Sequence, residues 1–157
     1  MSDVWCDWFQ RSSCTISNIK LLEERLSIVF PVKYINIMMV HNGGYLIKNM
    51  FDYYDIYKSK MIKGNDVGLF LKIDLKTTDP FEETVENYTS DPPEFFPAKL
   101  VPFAVGGGGN LTCFDYRNST DNPNVVFWCH YDNEGEDVHF VANTFEEFLS
   151  ILYASED

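Results

Sequence analysis

The stretch LVPFAVGGGGNLTCFDY, residues 100–116, decides the fold, because two apolar runs flank a corner of four glycines. Runs of this length that are rich in β-branched and aromatic residues are typical of strands. Four such runs follow one another along the chain, at residues 99–105, 110–116, 124–131 and 137–142. The connectors between them are short, so the sequence predicts four antiparallel strands paired in sequential order.

The glycine run at residues 106–109 lacks the context of a phosphate-binding loop. Such a loop follows a strand and leads into a helix, whereas this run leads into the apolar segment 111–115, which is itself predicted to be a strand. We therefore interpret the glycines as a tight corner of a sheet. No nucleotide or other cofactor is expected.

A closing helix is predicted after the last of the four strands. Residues 143–146 match a capping box, and Phe145, Phe148, Leu149 and Leu152 can lie on one face of the helix that follows. We expect this helix to pack on the sheet.

Two more helices are predicted near the start of the chain. Ser17 can cap a first helix that runs to about Ser27. Pro31 suits the first turn of a second helix. The sequence Asn42-Gly43-Gly44 ends that helix, because glycine adopts left-handed backbone at little cost.

The middle of the chain gives weaker signals. Aromatic and β-branched runs at residues 51–57 and 67–73 indicate strands, separated by a turn at residues 63–66. Asp79 offers a cap for a short acidic helix that extends to about Tyr88. The predicted fold is one α+β domain over residues 1–157, with its core at residues 16–153, in which the N-terminal helices and a C-terminal helix pack on a mixed or antiparallel sheet.

The 157 residues are 45% hydrophobic, which is ample for a packed core, and the net charge is −12. That charge is unevenly distributed. Residues 77–157 have two basic and sixteen acidic side chains, and residues 118–157 have no Lys or Arg. Nucleic acid is excluded as a partner, because phosphate binding depends on basic side chains. The acidic half either serves solubility or forms a face that attracts a basic protein.

The four cysteines show no CxxC pair, so we expect reduced thiols and no metal site. A hydrolase that uses Cys113 or Cys129 with a histidine is an alternative of low weight, because Cys129 and His130 should point to opposite faces of a strand. The first ten residues do not have the pattern of a signal peptide, and the longest apolar stretches are shorter than the ~20 residues of a membrane span. A cytoplasmic protein is predicted.

Three aromatic residues near the N-terminus precede the first helix signal. Trp5, Trp8 and Phe9 are expected either to cover an edge of the core or to form a self-association surface, which would give a homodimer.

Several segments, taken in order, resemble the SUKH superfamily, the Smi/Knr-type domain named from fungal cell-wall assembly regulators. An N-terminal signature runs from FPVKY at residues 30–34 to HNGG at residues 41–44. A central signature comprises LVPFA, GGGN and CFDY, within residues 100–116. VVFWCH at residues 125–130 and VANTFEEF at residues 141–148 continue the match.

This resemblance implies an α+β domain that acts without catalysis. Many bacterial members of the superfamily look like immunity proteins, which bind and block a cognate toxin, often a nuclease, inside the producing cell. The alternative that the resemblance to the fungal members implies is a regulatory adaptor that joins cellular proteins. The family has no agreed catalytic residues to transfer. The residues expected to determine the fold are Pro31, Asn42, Gly43, Gly44, Phe103, Gly107, Gly108, Asn110, Asp115 and Trp128.

The acidic half supplies the predicted partner-binding residues, and its partner is expected to be the basic face of a toxin. These residues are Glu82, Glu83, Glu86, Asp91, Glu134, Glu136 and Asp137. Residues 45–96 match the superfamily only loosely, so we expect partner specificity to lie there.

Overall fold

A computed structural model describes residues 5–6 and 13–155. The described chain contains four helices and eight strands. The helices are α1 (Ile16–Leu26), α2 (Val32–Val40), α3 (Val85–Ser90) and α4 (Phe145–Ile151). The strands are β1 (Gly44–Tyr45), β2 (Met50–Asp55), β3 (Lys60–Asp66), β4 (Leu69–Phe70), β5 (Leu100–Val105), β6 (Leu111–Asp115), β7 (Asn124–Trp128) and β8 (Val138–Ala142).

Six of the strands form one antiparallel sheet in the order β1-β4-β5-β6-β7-β8, while β2 and β3 form a separate hairpin. Strands β5 to β8 pair in sequential order, with Pro102 opposite Cys113 and Phe114 opposite Val125. The predicted four-stranded meander and the α+β class are therefore confirmed.

The period-2 alternation of strand residues divides the core between the two faces of the sheet. Phe103, Phe114 and Phe127 point to the larger core, which also includes residues from α1, α2 and α4. Cys113 and Trp128 belong to a smaller core on the opposite face. Strand β7 is thus apolar on both faces because both faces are covered.

The larger core is centred on aromatic rings. Phe103 lies 4.5 Å from Phe114 and 5.6 Å from Phe145, measured between ring centroids. Tyr34 of α2 contacts Phe114 edge-on at 5.0 Å. These contacts join an N-terminal helix, the meander and the closing helix, as the sequence predicted.

The predicted helix caps are displaced by one or two residues. The cap of α1 is Thr15, not Ser17, because the Thr15 hydroxyl accepts from the Asn18 N–H at 3.2 Å. Helix α4 begins after Thr144, whose hydroxyl accepts from the Glu147 N–H at 3.1 Å. Pro31 is the cap of α2 and lies just before its first turn.

Two predictions for the middle of the chain are wrong. The turn-prone residues 63–66 lie inside β3, and the hairpin instead turns at residues 56–59. Helix α3 begins at Val85, not at Asp79, because residues 79–82 form a turn and Thr84 is extended and bridges to Lys72. The Lys72 backbone accounts for this, since its N–H donates to Glu83 and its C=O accepts from Val85, at 3.3 and 3.0 Å.

Asn42 connects the end of α2 to the strand region. Its side-chain N–H donates to the Ile73 C=O at 2.9 Å, and its Oδ1 accepts from the Ile73 N–H at 2.8 Å. Gly43 and Gly44 follow with φ of +90° and +120°. The Asn42 side chain therefore hydrogen-bonds the Ile73 backbone as a neighbouring strand would, and the two glycines turn the chain into β1.

Gly107 and Gly108 were predicted to determine the fold, but a Cβ at either would meet no other atom within 4 Å. Next to this corner, the close approaches are at Gly106 and Gly68. A Cβ on Gly106 would lie 3.0 Å from the Asp66 carbonyl oxygen, and one on Gly68, where φ is +73°, would overlap the Val105 carbonyl.

Asn110 and Asp115 each support a corner of the meander. The Asn110 Oδ1 accepts from the His130 N–H at 3.0 Å. The Asp115 carboxylate accepts from the Arg117 backbone N–H at 3.0 Å and from two N–H groups of its guanidinium, both at 2.9 Å.

Trp5 is buried, stacked on His41 with 4.1 Å between the ring centroids, and edge-on to Phe70. It therefore covers an edge of the core, which is one of the two roles considered for it. Trp8 and Phe9 lie outside the described residues.

Candidate partner-binding surface

Tyr88 and Phe96 pack on the smaller core of the sheet, and we call the segment that holds them, residues 79–97, the outer layer. Helix α3 packs on β5. Tyr88 and Phe96 pack against the buried side chains Leu100, Leu111, Cys113, Val126 and Trp128. The outer layer is thus held to the sheet by apolar contacts, with its acidic residues between them.

Trp128 joins the outer layer to the loop at residues 129–137. Its indole ring is edge-on to Phe96 at 5.1 Å and to His130 at 6.0 Å. The indole Nε1–H donates to the Asp137 Oδ2 at 2.9 Å, between two buried residues. This tryptophan therefore fixes the outer layer and the 129–137 loop beside one another at the end of β7.

Three aromatic side chains on these two segments face solvent. The exposed fraction is 88% for Phe81, 69% for Phe95 and 77% for Tyr131. Phe95 also has a φ of +65°, a conformation that costs a bulky side chain about 1–2 kcal/mol. Strained, exposed phenylalanine is unusual in a surface loop, and strain of this kind concentrates at functional sites.

Most of the predicted partner-binding carboxylates lie on the same two segments. Glu83, Asp91, Glu134 and Glu136 are exposed. Glu82 is partly buried and forms an ion pair with Lys72 at 2.9 Å. We use the name acidic–aromatic surface for these five residues together with Phe81, Phe95 and Tyr131, which are the exposed aromatic residues of the same two segments.

Two of the predicted residues do not reach this surface. Asp137 is buried, and its carboxylate accepts the Trp128 hydrogen bond already described. Glu86 is buried on α3. Burial raises the pKa of Glu86, against the weaker lowering effects of backbone N–H groups and of Arg25. Both carboxylates therefore act within the fold, and the surface retains the other five.

The acidic–aromatic surface has the composition of a protein-binding site. Aromatic side chains provide large contact areas, and carboxylates around them select basic partners and accelerate encounter. Repulsion of phosphate makes the same surface unsuitable for nucleic acid.

Comparison with known proteins agrees with the fold. The sequence model of the SMI1 / KNR4 family (SUKH-1) matches residues 13–151, most of the chain. The chain belongs to this family. It is also similar to the SPbeta prophage-derived uncharacterized protein YokK of Bacillus subtilis (strain 168), with 27% identity over 150 residues, which cover 88% of this chain and 74% of that protein.

In this SMI1 / KNR4 domain, burial disfavours the thiolate form of the two candidate nucleophiles, Cys113 and Cys129. Burial, and then the charge of Asp115, raise the pKa of the Cys113 thiol well above its usual value. Burial also raises the pKa of the Cys129 thiol. Because the thiolate is the nucleophile, both shifts disfavour the hydrolase alternative at neutral pH.

A cleft of about 550 Å³ lies between the end of α1 and residues 96–101. Its lining is mainly apolar and includes Leu26, Phe96 and Leu100. The lining has no histidine or carboxylate that could act as a general acid or base. The cleft therefore adds apolar surface next to the outer layer. Among residues 5–6 and 13–155, no helix of this family member is long and apolar enough to cross a membrane.

The carboxylates of this surface could be predicted from the charge distribution, but Phe81, Phe95 and Tyr131 were not predicted to be exposed. The signal was present in the Pro-Phe-Glu-Glu sequence at residues 80–83 and in the Pro-Glu-Phe-Phe sequence at residues 93–96. These large aromatic residues lie between prolines and carboxylates, and no helical or strand periodicity predicts that they are buried. They are candidates for exposed anchors.

Proposed function

We propose that this protein is a non-enzymatic, cytoplasmic immunity protein, which neutralises a cognate toxin by covering the toxin's basic substrate-binding face with the acidic–aromatic surface. The toxin is a nuclease in this proposal, because a nuclease needs a basic face for its substrate. The observation that supports the proposal is that Phe81, Phe95 and Tyr131 are exposed on two segments that also have exposed carboxylates and that both contact Trp128.

The family and the relative both support this role. The chain belongs to the SMI1 / KNR4 (SUKH-1) family, the resemblance to the SUKH superfamily implies an immunity role, and the similar Bacillus protein is described as prophage-derived. A relative that derives from a prophage fits a role in defence against toxins better than a housekeeping role.

Occupancy and charge act together in the proposed mechanism. The carboxylates take the positions that substrate phosphates would occupy on the toxin, and the aromatic rings exclude water around them. Long-range attraction accelerates the encounter and is weakened by salt. The complex is expected to contain one immunity protein and one toxin domain.

The test is capture of the partner of the tagged protein from its host, followed by co-expression and titration with the toxic domain that co-purifies. We expect restored growth and 1:1 capture, with a Kd that rises as NaCl increases. The double variant Glu134→Lys/Glu136→Lys should weaken binding by at least about tenfold, since like charges across an interface cost several kcal/mol. The matched control is Glu24→Lys/Glu146→Lys, which makes the same charge change on exposed positions of α1 and α4.

Equal loss of binding in both double variants would mean that only the net charge matters, and it would contradict the proposed surface. No loss in either variant would contradict the charge mechanism. If the tagged protein recovers only cell-wall or signalling proteins from its host, and never a toxic domain, the adaptor role replaces the immunity role.

A further inference from the structure

A buried cluster of two carboxylates and one imidazole connects the β2–β3 hairpin to the last two strands of the sheet. Asp55 is the last residue of β2, Asp132 lies in the 129–137 loop, and His139 is on β8. The side chains of Asp55 and His139 are each 1% exposed, and that of Asp132 is 10% exposed. Each residue offers one ligand atom, and the three atoms lie within 4.8 Å of one another.

Two polar atoms of this cluster lack a hydrogen-bond partner among the described residues. The Asp55 Oδ1 accepts from the N–H groups of Tyr57 and Lys58, at 2.9 and 3.0 Å, but its Oδ2 accepts none. The His139 Nε2 lies 2.7 Å from the Asp132 Oδ2, whereas its Nδ1 lies 4.0 Å from the nearest Asp55 oxygen and is unpaired. Buried polar atoms of this kind cost free energy unless something else binds them.

A positive charge already lies beside the two carboxylates. The Lys58 ammonium is 2.9 Å from the Asp132 Oδ1 and 3.7 Å from the Asp55 Oδ2. The Lys58 side chain is 51% exposed, so it can turn into solvent without leaving a cavity in the core. Its ammonium neutralises the carboxylates but forms a short contact with only one of them.

We propose that Asp55, Asp132 and His139 form a binding site for one divalent transition-metal ion of the Zn²⁺ type, which displaces the Lys58 ammonium. Two carboxylate oxygens and one imidazole nitrogen are a donor set that Zn²⁺ and Co²⁺ accept, with water as a fourth ligand. Tetrahedral ligands at 2.0–2.1 Å from the ion are roughly 3.3 Å apart. Ligand atoms that lie up to 4.8 Å apart therefore have to approach by up to about 1.5 Å when the ion binds, whereas the 2.7 Å contact between the His139 Nε2 and the Asp132 Oδ2 has to open or rearrange.

The proposal does not depend on the immunity role. The ion would fix the 129–137 loop to the end of β2, through Asp132 and Asp55. That loop also has the exposed residues Tyr131, Glu134 and Glu136, so metal binding would order part of the acidic–aromatic surface from beneath.

The experiment is a titration of the purified full-length chain with ZnCl₂ and with CoCl₂, followed by calorimetry, by the cobalt absorption spectrum and by thermal unfolding. We expect one ion per chain, a Tm that rises with metal concentration, and a cobalt spectrum without a thiolate charge-transfer band. Asp55→Asn and His139→Gln should each weaken Kd by at least the ~10- to 100-fold seen when a partner of a metal ligand is lost.

Lys58→Met is the variant that keeps the test decisive if the buried variants fold poorly. Removing the competing ammonium should tighten Kd by about tenfold, whereas a merely structural ion pair predicts no metal binding in this variant. His130→Gln is the matched control, because His130 is an exposed histidine on the same loop as Asp132, and its replacement should leave Kd unchanged.

Three outcomes would overturn the proposal. They are the absence of stoichiometric binding in both the wild type and Lys58→Met, a thiolate charge-transfer band that places the ion on a cysteine, and a His130→Gln effect as large as that of His139→Gln.

Discussion

Gly68 lies at a position where only glycine fits without a clash. Its φ is +73°, and a Cβ there would overlap the Val105 carbonyl of the adjacent strand. We predict that Gly68→Ala lowers the free energy of unfolding by at least about 2 kcal/mol, because the clash is with backbone that cannot rotate away. Gly107→Ala should be neutral or stabilising by up to ~1 kcal/mol, since a Cβ there meets nothing. Urea denaturation of both variants measures the difference, and equal losses would contradict this reading of the glycine corner.

Glu86 gives the molecule a pH dependence of a definite sign. Its pKa in the folded chain is raised above the usual 4.5, mainly by burial. The folded state therefore disfavours the carboxylate, and stability is lost as pH rises from 4.5 through the folded-state pKa. We predict that Glu86→Gln is more stable than the wild type at about pH 8 and gains nothing at about pH 4.

Thermal unfolding across this pH range tests the Glu86 prediction, with Glu24→Gln on the exposed side of α1 as the control that should show no such pattern. A Glu86→Gln variant less stable than the wild type at every pH would mean that the buried carboxylate is charged and well paired in the fold.

At the scale of elements, the outer layer combines a residue that holds it in place with a neighbour that is strained. Phe96 packs edge-on to Trp128 at 5.1 Å, while Phe95 is exposed and has a φ of +65°. We predict that Phe96→Ala costs about 1–2 kcal/mol and shifts tryptophan emission to the red, because water reaches the indole. Phe95→Gly should instead stabilise the chain by about 1 kcal/mol, through relief of the left-handed strain.

The functional effect of Phe95→Gly should be opposite to its effect on stability. If Phe95 is an anchor for a partner, the stabilised variant binds more weakly than the wild type. A variant that is both more stable and unimpaired in binding would remove Phe95 from the acidic–aromatic surface. Chemical denaturation and the toxin titration together separate these cases.

Elements whose signals were local could be predicted from the sequence. Strands β5 to β8 lie between turn residues with short connectors, and their pairing follows chain order. The β2–β3 hairpin was misplaced because Lys63, Gly64, Asn65 and Asp66 have the composition of a turn, yet they pair or lie opposite β2 in the sheet. Here the tertiary environment overrides local propensity.

Only the acidic residues of the candidate surface could be predicted from the sequence, because the charge distribution shows which half of the chain is acidic. The acidic carboxylates were identified from the charge distribution, but the sequence could not distinguish buried Glu86 and Asp137 from their exposed neighbours. The cluster of Asp55, Asp132 and His139 was missed entirely, because its members are distant in sequence and meet only when the hairpin packs beside β8.

At the scale of the whole molecule, the net charge of −12 opposes compaction. Raising NaCl from about 0.02 M to about 0.2 M shortens the screening length from roughly 20 Å to roughly 7 Å. We predict a rise in Tm of about 2–4 °C over this range, equivalent to about 1 kcal/mol. A Tm that falls would mean that ion pairs such as Lys72–Glu82 outweigh the repulsion, although exposed pairs are worth little.

The packing of α2 against the last helix has a consequence for synthesis on the ribosome. Phe30 and Tyr34 contact Phe114, and Tyr34 also contacts Phe145, so these N-terminal rings stay uncovered until nearly the whole chain has been translated. The meander can pair as it emerges, but the N-terminal helices must wait for it. A nascent chain that stalls before α4 therefore exposes its most apolar helix faces, and we expect such products to be captured by chaperones or degraded.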